Sequence, residues 1–188
     1  MRFSSWFGKP RHAVQSGHGH GTPRKRSSFR PRLEALEDRW LPSQISLPVT
    51  SLADSSPGSL RAAILTADAG SHSDKFTIDF AVTGTIDLQT ALPDLNNSIA
   101  IQGPGATNLT IERAASASLT SAIITVDFGQ TASLSGLTVA NGDAGGIFNH
   151  GGTLTVSGCT LSGDSADVGG GIYNQGALTV SGCTLSGD

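Results

Sequence analysis

The chain has 188 residues, 37% hydrophobic but only 5% aromatic, with 24 glycines and one methionine. That length suits one sizeable domain, and that composition excludes a large aromatic core in favour of small branched side chains separated by many tight turns. The net charge of −3 is unevenly divided: residues 1–41 hold nine of the twelve Lys and Arg against Glu34, Glu37 and Asp38, while three basic residues face twelve acids in the rest. A basic tail therefore precedes an acidic body.

Residues 1–44 read as a disordered basic tail. The stretch GKPRHAVQSGHGHGTPRKRSSFRPR (Gly8 to Arg32) has no apolar periodicity, so it buries too little surface to offset its ordering entropy. It lacks the apolar run of about 7–15 residues that a secretory signal needs, and nothing in the chain approaches the ~18 apolar residues of a membrane-spanning helix. RKRSSF (Arg24 to Phe29) lacks the apolar run of a twin-arginine signal, and His18 and His20 are too few to hold a metal. No nucleic-acid partner is expected, because no folded basic surface with interleaved aromatics follows the tail. One short helix is predicted within it: RPRLEALEDRWLPS puts Leu33, Leu36, Trp40 and Leu41 on one stripe, closed by Pro42. This segment resembles the LEALEDR-type motif near the N-terminus of large secreted or surface-exposed bacterial repeat proteins, which implies export or surface sorting.

The body spans 45–188. SLRAAILTAD (Ser59 to Asp68) follows the Pro57-Gly58 turn, offers Ser59 as a cap, and places Leu60, Ala63, Ile64 and Ala67 on one face of a short helix. Beyond it the chain turns to runs of four to eight residues, among them KFTIDF, GTIDL, SIAIQG, NLTIE, AIITVDF, ASLSGLTV, TLTVSG and ALTVSG, each bounded by turn-forming residues. The body is expected to be all-β apart from that helix.

Repetition selects the architecture. LTVSGCTLSGD at Leu154–Asp164 recurs unchanged at Leu178–Asp188, and GGI recurs from Ile147 to Ile172. SLSGLTVANGDAGGIFN upstream is a weaker copy. A period of about 24 residues carrying three short strands and no helix fits one turn of a parallel β-helix, whose coils stack ~4.8 Å apart to bury a shared core. About six coils are expected. Alternation turns Ile147, Asn149, Leu154, Val156, Cys159 and Leu161 inward, directly above Ile172, Asn174, Leu178, Val180, Cys183 and Leu185. Gly136, Gly158 and Gly182 fall where the coil turns sharply. Asn149 and Asn174 are expected to form an amide ladder. Cys159 and Cys183 stack as small apolar thiols, with a disulfide geometrically awkward between parallel neighbours. Phe148 and Tyr173 alternate outward as a surface aromatic ladder, open either to sugar rings or to plain lateral packing.

This pattern resembles the right-handed parallel β-helix repeats of secreted bacterial proteins, including the polymorphic outer-membrane-protein type. GGIFN and GGGIYN are similar to that type's GGAI and FxxN motifs, without the alanine and with the aromatic adjacent to Asn. SLADSSPGSLRAAILTAD and Phe80 to Ile111 resemble the first helix and coils of such proteins. The likeness covers about residues 45–188 and implies a pectin-lyase-like, right-handed β-helix fold.

Function is less constrained, since adhesins, passenger domains and polysaccharide-degrading enzymes share that scaffold. The expected role is a non-enzymatic secreted or cell-surface module, structural or adhesin-like, with carbohydrate or other surface ligands as partners. The alternative is a carbohydrate-active β-helix enzyme whose site lies outside this chain. β-helix lyases need clustered acids and a basic residue, whereas the body offers Arg61, Lys75 and Arg113 with Asp79 and Asp87 as its nearest paired carboxylates. No catalytic, cofactor or metal residue is assigned; Asp164 and Asp188 sit at turn positions that favour Asp for conformational reasons. Because the last coil ends uncapped at Asp188, the chain reads as a fragment of a longer protein. Its open edge is a route to self-association.

Overall fold

Short alternating runs bounded by glycines leave each strand able to bury one face but not both, and the chain resolves this by winding. The computed structural model describes residues 43–188; the expected tail helix around Leu33 to Leu41 lies outside them. The described residues begin with strand β1 (Gln44–Val49), helix α1 (Leu60–Asp68), β2 (Lys75–Phe80) and β3 (Gly84–Leu88). Three-stranded coils follow: β4 (Ile99–Gln102), β5 (Leu109–Arg113) and β6 (Ile124–Val126); β7 (Thr131–Ser135), β8 (Thr138–Ala140) and β9 (Ile147–Asn149); β10 (Thr153–Ser157), β11 (Thr160–Ser162) and β12 (Ile172–Asn174). Strands β13 (Ala177–Ser181) and β14 (Thr184–Ser186) complete the chain.

Every pairing is parallel and links one coil to the next. Three sheets result, ordered β1-β2-β4-β7-β10-β13, β14-β11-β8-β5-β3 and β12-β9-β6. The described residues form a parallel β-solenoid of about five turns with one short helix. The longest sheet has six strands; β1 adds to the strands expected from the sequence. Pro48 disguises it, since proline cannot donate to a ladder, but the edge position leaves that donor unneeded.

Register turns the repeat into columns. Phe76, Ile99, Ala132, Leu154 and Leu178 line up along the first sheet, as do Ile78, Ile101, Leu134, Val156 and Val180. Ile86, Ile111, Val139, Leu161 and Leu185 do the same along the second. All six inward residues expected from Ile147 to Leu161 are buried. Their equivalents one coil on are aligned with them but less covered, and Val180 and Leu185 are exposed.

Helix α1 starts where expected. The Ser59 hydroxyl accepts the Ala62 N–H at 3.3 Å, and Leu60, Ala63, Ile64 and Ala67 pack into the core against the first strands. A buried residue not singled out from the sequence, Asn97, finishes the helix by donating to the Ala67 carbonyl at 3.1 Å. Between the first and second sheets, the corner glycines Gly136, Gly158 and Gly182 share φ values of 60°, 58° and 60°. That left-handed conformation is one glycine adopts without strain.

Candidate functional site

The third sheet carries the most distinctive outward chemistry. Strands β9 and β12 pair with Phe148 opposite Tyr173, so stacking of coils stacks the rings as well. Their centroids lie 5.1 Å apart with planes 10° from parallel. His150, two residues along, has its ring 5.4 Å from Phe148 and 25° from parallel. The Gln175 amide donates to the Tyr173 hydroxyl at 2.7 Å, holding the outer ring in place. Beside this column lies a groove of about 260 Å3 whose walls include Thr120, Ser121, Ala144, Val168 and both rings. Thr125 precedes Phe148 in the same column, and its buried hydroxyl has no hydrogen-bond partner.

Directly inside the aromatic column runs the asparagine ladder. Asn149 donates to the Asn174 side-chain oxygen at 2.7 Å and to the Gly152 carbonyl at 3.1 Å, and accepts the Gly152 N–H at 2.9 Å. Asn174 repeats the local pattern, donating to the Gly176 carbonyl at 2.8 Å. These amides satisfy the turn backbone between sheets. Ile147 and Ile172 stack in the adjacent column of the core.

Both cysteines are free thiols. The Cys159 N–H donates to the Cys183 sulfur at 3.4 Å, so the thiols stack one coil apart. Burial pushes the Cys159 thiol above its usual range, which makes it a poor nucleophile.

The charged residues of the body are mostly committed to backbone. Arg61 pairs with Asp54 at 2.5 Å and donates to the carbonyls of Ala91 and Thr90 at 2.6 and 2.8 Å, tying α1 to the loop after β3. Arg113 donates to the carbonyls of Asn141 and Ala117 at 2.8 and 2.7 Å. The two carboxylates nearest to a pair in the sequence do not converge. Asp79 lies on the first sheet and accepts from Ser46 at 2.7 Å, whereas Asp87 lies on the second opposite Glu112. Eight residues is enough for the coil to turn a corner between them. Among the described residues, no cluster of three His, Cys, Asp or Glu is positioned to hold a metal, and no helix is long and apolar enough to cross a membrane.

Two features escaped sequence reasoning. The first is a trough of about 390 Å3 on the outer face of the first sheet, of mixed polar and apolar lining, walled by Lys75, Thr77, Ala100, Gln102, Ser133 and Thr155. Its signal was present in the outward hydroxyls of TASLS and TLTVS, which alternate with the core residues. The second is Asp164, whose carboxylate is buried rather than solvated at its turn. Only the register of the coils, which brings glycines over it, reveals that.

No family model and no curated protein matches this chain. The fold and the side-chain columns define it as a parallel β-helix repeat protein.

Proposed function

We propose that the chain is a structural, adhesin-like module of a secreted or cell-surface bacterial protein, akin to the polymorphic outer-membrane-protein repeats. On this reading its work is to present an extended lateral surface rather than to catalyse. The observation that carries the reading is the Phe148–Tyr173 column beside its groove. Stacking of the two coils sets these two rings 5.1 Å apart in one wall of the groove, a surface suited to a ligand that spans both coils. Aromatic faces and edges flanked by hydroxyl and amide groups suit a carbohydrate, with the Tyr173 hydroxyl and Gln175 able to bond sugar hydroxyls. The LEALEDR-type segment supports a surface destination through its resemblance to motifs of exported proteins.

The test is a glycan array probed with the purified chain and with a Phe148→Ala/Tyr173→Ala variant. Binding by the first and at least tenfold weaker binding by the second supports a carbohydrate-binding wall. Equal binding by both sinks that assignment. Antibody labelling of intact source cells tests surface display, and signal only after permeabilisation would refute it.

A further inference from the structure

The turn after β11 holds a carboxylate in an unusual setting. Asp164 is 1% exposed. One of its oxygens, Oδ1, accepts the Gly142 N–H of the preceding coil at 2.8 Å. Its own N–H donates to Asp188 Oδ1 of the following coil at 3.1 Å. Its second oxygen, Oδ2, is buried with no hydrogen-bond partner. Gly142, Asp164 and Asp188 occupy equivalent positions in three successive coils, so each aspartate reaches back to the coil before it.

The glycines around these carboxylates make the cradle. A Cβ on Gly146 would overlap Asp164 Oδ2 and would lie 2.9 Å from the Gly171 carbonyl oxygen, and one on Gly171 would come within 2.8 Å of Asp188 Oδ2. The Gly-Gly pairs that precede Ile147 and Ile172 thus leave space for the aspartate of the next coil. That fit is tight. It leaves room for a proton on Oδ2 but not for a hydrated cation.

We propose that Asp164 is a proton-sensitive latch that tightens the stacking of the C-terminal coils in mild acid and loosens it at neutral pH. The charges that bear on it are like its own. Asp188 faces it from the following coil. Asp143 of the preceding turn is directed elsewhere, to the Leu119 N–H at 3.0 Å and Arg113 at 3.6 Å. Among the described residues no Lys, Arg or His pairs with Asp164. An ionised carboxylate here keeps one satisfied oxygen and one that has lost its water. Protonation removes the charge from this buried oxygen, which is the form that burial without a partner favours. Burial, reinforced by Asp188 and opposed by the Gly142 N–H, pushes the Asp164 carboxyl up to about 6.

The sign follows by linkage. A folded-state value raised above the unfolded one makes the contribution to stability full below about pH 4 and lost as pH rises through about 6. Opening of the last coils should rise tenfold or more between pH 4 and 7, because each pH unit between the two values is worth a factor of ten.

The experiment is carbon-13 NMR of the Asp164 carboxyl across pH 3 to 8, alongside hydrogen exchange at the Gly142 and Asp164 amides corrected for intrinsic rates. A carboxyl midpoint near 6 with amide protection falling over the same interval is expected. D164N should hold its protection across that interval, and D188N should keep the titration but move its midpoint down. A midpoint near the ordinary value of about 4 would overturn the latch. So would an unchanged pH profile of protection in D164N, or calcium restoring protection at neutral pH in the unsubstituted chain but not in D164N. If D164N does not fold, the carboxyl titration of the unsubstituted chain decides alone.

Discussion

The side-chain amide of Asn149 donates to the side-chain oxygen of Asn174 at 2.7 Å, joining equivalent residues 25 positions apart in consecutive coils. Asn149 is fully buried; Asn174 is exposed on the last coil. The same bonding pattern therefore carries different weights at its two ends. Replacing Asn149 by Ala strands the Gly152 N–H in the interior, while the Gly152 carbonyl keeps the Ala177 N–H at 2.9 Å, and should cost about 2–3 kcal/mol in denaturant unfolding. Asn174→Ala, whose turn groups reach water, should cost about 1 kcal/mol or less. Equal losses would mean that the ladder does not draw its strength from burial.

Gly158 offers a cleaner probe of the backbone. Its φ is 58°, and a Cβ there would meet nothing within 4 Å. Gly158→Ala should therefore lose about 1–2 kcal/mol from the left-handed conformation alone, and Gly158→Asn distinctly less, since asparagine tolerates that region. A loss that grows with side-chain volume rather than with conformational preference would refute this account.

The two thiols should differ in reactivity although their sequence contexts are the same. Cys159 is buried and its thiol is pushed up by burial; Cys183 is partly open. At pH 8 an aromatic disulfide reagent should label Cys183 at least tenfold faster than Cys159. As both are free, a reductant should leave the melting temperature unchanged. A drop in melting temperature on reduction would show that the thiols are bridged.

Arg61 holds four groups in place, the Asp54 carboxylate and the carbonyls of Asp54, Ala91 and Thr90. Arg61→Lys retains charge but not the planar fork, so it should lose most of what Arg61→Ala loses, about 1–3 kcal/mol. Full rescue by lysine would reduce the interaction to simple charge pairing.

The coil architecture was legible in the chain because a solenoid repeats its sequence wherever it repeats its environment. The spacing between the LTVSGCTLSGD blocks already set the column Leu154 over Leu178, and alternation within them separated inward Val156 from outward Thr155. Phe148 and Tyr173 were legible as neighbours for the same reason. Where repetition fails, so does that reasoning. Pro48 concealed β1, and the divergent early coils placed Asp79 and Asp87 on separate sheets.

Local pattern determined which residues face inward and which recur; tertiary stacking decided what each one meets. A conformational role for Asp164 follows from its turn, but its buried, half-satisfied carboxylate depends on the glycines of the preceding coil. Likewise the trough on the first sheet exists only because outward hydroxyls from different coils are set side by side. Periodicity is a property of one strand, written in its own residues. Burial and charge at a point depend on distances between coils, and those arise only when parallel strands lock into register.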